Sequence, residues 1–285
     1  MNAALLGAIA ALSWGTHDFL ARFPSRAVGP VTTVLVVTAA GLGFLTIWLF
    51  VSGGELRLIW PSLWLVAATG IFYALATLCL FAALALGPIS IVAPIAGSYP
   101  ALAILFALTA GARPSLVQWA AIAAVSAGVV VVARSGARFE TRGDVAAGGL
   151  PRIMLLAFGA SIGFAIGMTA GQAAVPIFDE AETAWMARVF GFVAVFLIWL
   201  TLPKRELPAR WLPVLTLIGA LDVTALALIV GAGNLPDPAL ATVASSGFGA
   251  VAVIWARLFL KEAIGPMQLI GIGFVFVGVA ALAGA

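Results

Sequence analysis

Residues 60–86 read WPSLWLVAATGIFYALATLCLFAALAL, without one charged side chain. At a helical rise of about 1.5 Å per residue, such a stretch is long enough to cross a hydrocarbon core of ~30 Å. Nine other stretches share its character, so the candidate spans are 2–21, 28–52, 60–86, 89–111, 114–134, 151–173, 180–202, 209–233, 238–260 and 264–284. Charged residues make up only 9% of the 285-residue chain and apolar ones 64%, too little charge to keep a soluble domain of this size dispersed. The composition therefore specifies an all-α membrane protein with the lipid bilayer as its constant partner. The loops are too short to hold a second, soluble domain.

The second five spans lie in register with the first five at a constant offset of 150 residues, the separation of Pro88 and Pro238. Rare residues match at that same offset: Gly41 with Gly191, Gly97 with Gly247, Gln118 with Gln268, and Gly128 with Gly278. A unit with an odd number of spans must insert its second copy upside down, and inverted repeats are an architecture of secondary transporters. The expected organisation is a five-helix repeat over 1–135, a cytoplasmic linker over 136–150, and an inverted five-helix repeat over 151–285. Ten transmembrane helices would then surround a central cavity in a monomer.

Basic residues set the expected orientation. The face bearing both termini carries only Arg57 and Arg113. The opposite face carries Arg22, Arg26, Arg134, Arg138, Arg142, Arg152, Lys204, Arg205, Arg210, Arg257 and Lys261. Positive residues stay in the cytoplasm, so both termini are expected outside, on the periplasmic side of a cell inner membrane. Arg188 belongs to neither face, because it falls inside the seventh span.

Ionisable groups inside a span need a reason. Asp222 sits near the middle of the eighth span and Arg188 about a turn from the middle of the seventh, so the pair is expected to meet or to face a wet cavity. Asp222 is also a proton-coupling candidate. His17 and Asp18 end the first span, and Asp18 can reach Arg22 one helical turn on. Trp14, Tyr73, Tyr99 and Phe164 are candidates to line one chamber, with Trp14 and Phe164 at equivalent positions of the two halves. His17, Thr77, Ser98, Ser245 and Ser246 add polar contacts for a substrate. Glu262 is expected to pair locally with Lys261 or Arg257.

Pro94, Gly97 and Pro100 interrupt the fourth span, and Gly247 stands in the ninth. These residues make either a hinge lining the cavity or a close helix contact. In the sixth span Gly159, Gly163, Gly167 and Gly171 form a ladder on one helix face, which suits backbone-to-backbone packing.

Ser13-Trp14-Gly15, the Gly87-Pro88 turn before a proline-bearing span, and Leu260-Lys261-Glu262 before a glycine-rich last helix resemble the EamA-type drug/metabolite transporter superfamily over the whole chain. The resemblance implies a secondary exporter, closest to those for aromatic and neutral amino acids. Exporters of cationic drugs share the fold, and a passive facilitator or channel is a third reading. It also implies that helices one, three, four and six, with eight and nine, enclose the cavity, and that Tyr73, Tyr99 and Phe164 line it. The chain departs from the pattern in having Gly111-Ala112 where the second half has Lys261-Glu262, and in termini that the charge rule places outside.

Other chemistries find little support. No Gly-x-x-x-x-Gly-Lys-Ser/Thr string occurs, so ATP is not expected to drive the chain directly. One histidine, one cysteine (Cys79) and no HExxH string imply no metal, no cofactor and no enzyme activity. Basic residues confined to membrane-flanking loops imply no nucleic acid. The expected partner is a small-molecule substrate.

Overall fold

The computed structural model describes residues 3–51, 59–109, 113–135, 149–203, 209–232, 244–245 and 247–283. The turn 235–238, Ser246, Gly111-Ala112 and most of the linker 136–150 lie outside them. The helices are α1 (Ala3–Val28), α2 (Pro30–Val51), α3 (Leu63–Leu86), α4 (Ile89–Ala96), α5 (Tyr99–Thr109) and α6 (Leu116–Ser135). They continue as α7 (Gly149–Phe178), α8 (Glu180–Leu200), α9 (Leu212–Ala232), α10 (Phe248–Phe259) and α11 (Pro266–Ala283). No strand occurs among the described residues. Among the described residues seven helical stretches are long and apolar enough to cross a membrane, α4 and α5 counting as one; α10 and α11 are apolar but shorter. The protein is an all-helical, multi-pass membrane protein.

The fourth span, read from the sequence as one stretch, is broken in two. Pro100 has no N–H for the carbonyl of Ala96, so the helix ends at Gly97 and restarts at Tyr99. Pro94 removes another bond, the one that would reach the carbonyl of Ser90. That orphaned oxygen accepts from Gln268 Nε2 of α11 at 3.3 Å. Gln118, at the matching position of the first half, does something else: it exchanges hydrogen bonds with Ser115 in a capping box at the start of α6.

Local backbone repeats at the 150-residue offset. Gly29, between α1 and α2, has φ 88°, and Asp179, between α7 and α8, has φ 63°. Both have positive φ, where glycine rests without strain, whereas Asp179, with ψ 174°, holds an extended positive-φ backbone that side chains rarely adopt. Asp179 also caps α8, accepting from the Glu182 amide at 2.9 Å. Gly97 (φ −69°, ψ −4°) and Gly247 (φ −71°, ψ −2°) share one conformation, the first ending α4 and the second opening α10.

Packing between the halves is reciprocal. The contact of α3 with α7 is answered by that of α9 with α1, α3 with α8 by α9 with α2, and α5 with α7 by α10 with α1. Equivalent helices also meet each other: α2 with α8, and α6 with α11. Two copies of one unit packed against each other through matching faces give such swapped pairs and self-pairs.

Glycines permit this closeness. A Cβ on Gly191 would come 2.9 Å from the Gly70 carbonyl oxygen, and one on Gly70 would collide with the Ala187 carbonyl. At α6–α11, a Cβ on Gly128 would lie 2.6 Å from the Gly271 oxygen and one on Gly278 2.9 Å from that of Ala121. Lipid tails supply no hydrophobic drive between helices, so association rests on such van der Waals fit. Gly70→Ala is therefore expected to cost ~1–3 kcal/mol through overpacking. Gly43→Ala, where nothing lies within 4 Å, is expected to be neutral or to gain up to ~1 kcal/mol of helix propensity. Thermal unfolding in detergent checks both; a lower midpoint for Gly43→Ala than for Gly70→Ala contradicts the packing account.

Candidate functional site

Asp222 of α9 is 4% exposed, the depth at which a carboxylate in a membrane protein needs partners. Arg188 Nη2 of α8 donates to its Oδ2, and Trp14 Nε1 of α1 donates to its Oδ1 at 3.1 Å. The expectation that Arg188 and Asp222 meet corresponds to a direct ion pair. In the first half their matching positions hold Thr38 and Phe72, so the pair has no internal duplicate.

Aromatic rings extend from both sides of it. The Arg188 guanidinium lies 5.7 Å from the Tyr73 ring centroid, a cation–π arrangement. Tyr73 meets Phe164 edge-on at 5.2 Å, and Phe164 meets Tyr99 at 5.9 Å. On the other side Trp14 meets Phe248 edge-on at 6.3 Å. The run Phe248–Trp14–Asp222–Arg188–Tyr73–Phe164–Tyr99 thus draws on α10, α1, α9, α8, α3, α7 and α5. Every member except Asp222 is only partly buried although these residues contact one another inside the bundle. Phe248 was missed from the sequence, where one phenylalanine among eighteen carries no mark.

The polar candidates divide. His17 Nδ1 lies 2.9 Å from Asp18 Oδ1, and its ring packs on Phe81 at 5.6 Å. Thr77 donates back to the Tyr73 carbonyl at 2.9 Å. Ser98 donates to the Ile95 carbonyl at 2.7 Å and lies 3.1 Å from Ser161 Oγ. Their hydroxyl protons are thereby committed to the helices, leaving the oxygens as acceptors. Ser245 is buried.

The glycine ladder runs along α3. A Cβ on Gly163 would lie 2.9 Å from that of Ala76, and one on Gly167 3.1 Å from the Tyr73 amide nitrogen. Tyr73 is positioned by this close fit. A separate recess of about 380 Å³ opens between α2 and α9, lined by Phe44, Trp48, Ala220, Val223, Thr224, Ala227 and Leu228. None of the residues singled out from the sequence lines it.

Two expected local pairs are replaced by long-range ones. Arg22 does not pair with Asp18: its guanidinium donates to the Gly87 carbonyl and approaches Glu262 at 3.4 Å. Glu262, expected beside Lys261 or Arg257, instead accepts from the amides of Ile89 at 2.9 Å and Ser90 at 3.0 Å. Arg257 reaches only its backbone carbonyl. Two unsatisfied amides at the start of α4 attract a carboxylate more firmly than a solvated lysine does. This clasp joins α1, α4 and the chain after α10. Ala112 stands where a second copy of it would need its glutamate.

A sequence model of the EamA-like transporter family matches residues 1–134 and again residues 151–284. The chain belongs to the EamA-like transporter family. EamA-like proteins are membrane transporters of small solutes, and the chain is a transporter rather than an enzyme on that ground. A solved structure described as "Crystal structure of protein" has the same fold, with a TM-score of 0.64 and 21% identity, covering 99% of this chain and 96% of that one. No curated protein is a significant match to the chain.

The clasp carries its own test. Removing the acceptor in Glu262→Ala leaves two buried amides exposed to competition, a loss of ~1–3 kcal/mol. Hydrogen exchange at Ile89 and Ser90 is expected to quicken by about tenfold or more. Glu262→Gln, which keeps one acceptor oxygen, is expected to fall between. Unchanged exchange in Glu262→Ala contradicts the clasp.

Proposed function

We propose that this EamA-like transporter is a secondary exporter of small neutral amino acids with a preference for aromatic ones. The observation that carries the reading is the aromatic run built around one charge-balanced ion pair, with side chains from both halves. Rings offer an apolar bed for a flat side chain, and the balanced pair disfavours any solute with net charge. A cation exporter would be served by an unpaired carboxylate among the rings, whereas Asp222 is already held by Arg188 and Trp14.

In this reading the chain forms ten spans as two inverted five-helix repeats, and the halves rock about the site to open it alternately to each side. Reciprocal packing and the repeated backbone at Gly29/Asp179 and Gly97/Gly247 support it. The break at Gly97 and Gly247 gives each half a hinge beside the site. With both termini outside an inner membrane, the Arg22–Glu262 clasp lies on the cytoplasmic face, and cytoplasmic opening requires it to part. Both Asp222 oxygens accept hydrogen bonds, as a charged carboxylate does, so the residue is assigned to the ion pair rather than to carrying protons.

Purified protein in proteoliposomes, assayed with aromatic amino acids, small neutral amino acids and cationic dyes, tests the proposal. Counterflow of phenylalanine is expected, which an open pore does not show. Tyr99→Ala and Phe164→Ala are each expected to lower it about tenfold, the scale of one lost aromatic contact of ~1.4 kcal/mol. Transport of dyes without amino acids, or full phenylalanine flux in both variants, overturns the reading.

A further inference from the structure

Arg188 has hydrogen-bonding capacity that the protein does not use. Among the described residues its guanidinium makes one hydrogen bond, from Nη2 to Asp222, although the group has five N–H donors. Neither Nε nor Nη1 is among the fully enclosed polar atoms without a partner. The Arg188 side chain retains 13% of its exposure and that of Asp222 retains 6%. The spare donors are therefore neither paired nor fully enclosed. A guanidinium held by a single nitrogen keeps free the fork that binds a carboxylate through two parallel bonds. Asp222 is in the matching position: each of its oxygens accepts one bond and has room for another.

We infer that Arg188 and Asp222 together read the two charges of a zwitterion, the substrate carboxylate binding Arg188 and its ammonium binding Asp222. This rests on the amino-acid reading above and assigns the residues that set its specificity. In the empty site the two side chains satisfy each other. A zwitterion offers each a partner of the right sign, so the exchange leaves no charge unpaired in a low-dielectric interior. An amine without a carboxylate would draw Asp222 away and strand Arg188; an acid without an ammonium would strand Asp222. Tyr73 touches both parts of the site, lying under Arg188 and against Phe164. The side chain of a bound amino acid is thereby directed along Tyr73, Phe164 and Tyr99. Since Thr38 and Phe72 replace the pair in the first half, the protein has one such reader rather than two.

Phenylalanine, phenethylamine and 3-phenylpropionate share a ring and differ in their charges, so they separate this inference from the transport reading. Full-length protein in proteoliposomes is assayed for phenylalanine counterflow with each as competitor. Their binding is also followed by tryptophan fluorescence, because Trp14 donates to Asp222. Wild-type protein is expected to prefer phenylalanine over either relative by about tenfold or more, the weight of one charge-assisted contact.

The double variant Arg188→Met/Asp222→Leu removes both charges without stranding either. Its preference is expected to fall to near unity, while Asp222→Glu keeps it. A purely structural pair would change the amount of folded protein and leave that ratio alone. Equal competition by all three compounds in the wild type, or an undiminished preference in the folded double variant, overturns the inference with the exporter reading intact. If the double variant does not fold, the wild-type ratios decide. Wild-type protein that carries no amino acid at all defeats the exporter reading itself, and the inference with it.

Discussion

Inside a bilayer there is no water to complete a hydrogen bond, so each polar group placed there must find its partner within the protein. That constraint accounts for the positions of most of the unusual residues in this chain. Pro94 strips the Ser90 carbonyl of its helical donor, and Gln268 arrives from another helix to replace it. Pro88 opens a helix whose first amides have no partner, and Glu262 comes from the other half to accept from them. Asp222 at mid-span is held by a guanidinium and an indole from two further helices. Each repair links segments distant in sequence, so polar satisfaction and tertiary assembly are one process here.

The two halves share packing and divide chemistry. Gly97 and Gly247 share one backbone conformation, and positions that bring backbones together are alike in both: Gly41 and Gly191, Gly128 and Gly278. Positions that carry charge or hydrogen bonds are not. Arg188 answers Thr38, Asp222 answers Phe72, Glu262 answers Ala112, and the Gln118/Gln268 pair keeps its side chain while changing its task. A duplicated scaffold needs matching close contacts to assemble. A solute that is not itself symmetric needs only one set of recognition groups.

Much of this was legible in the residues. The cost of charge in hydrocarbon was enough to anticipate that Arg188 and Asp222 face each other, and the rings Tyr73, Tyr99 and Phe164 do form a contiguous run. Local spacing was a poorer guide. Asp18 and Arg22 stand one turn apart yet take other partners, His17 and the Gly87–Glu262 clasp. Glu262 likewise passes over Lys261. An i,i+4 pair is worth only a few tenths of a kcal/mol, less than an orphaned buried amide or carbonyl at ~1–3 kcal/mol. Which distant side chain reaches an orphaned group is settled by three-dimensional packing.

The sequence by itself determined that the chain is helical and membrane-embedded, because hydrocarbon admits only long apolar stretches that satisfy their own backbone. It also marked the doubled unit, through rare residues recurring at one offset. Only the tertiary structure decided which polar groups meet, which residues repair the broken fourth span, and that Phe248 joins the aromatic run. Those outcomes turn on distances between helices far apart in the chain, and residue spacing carries no record of such distances.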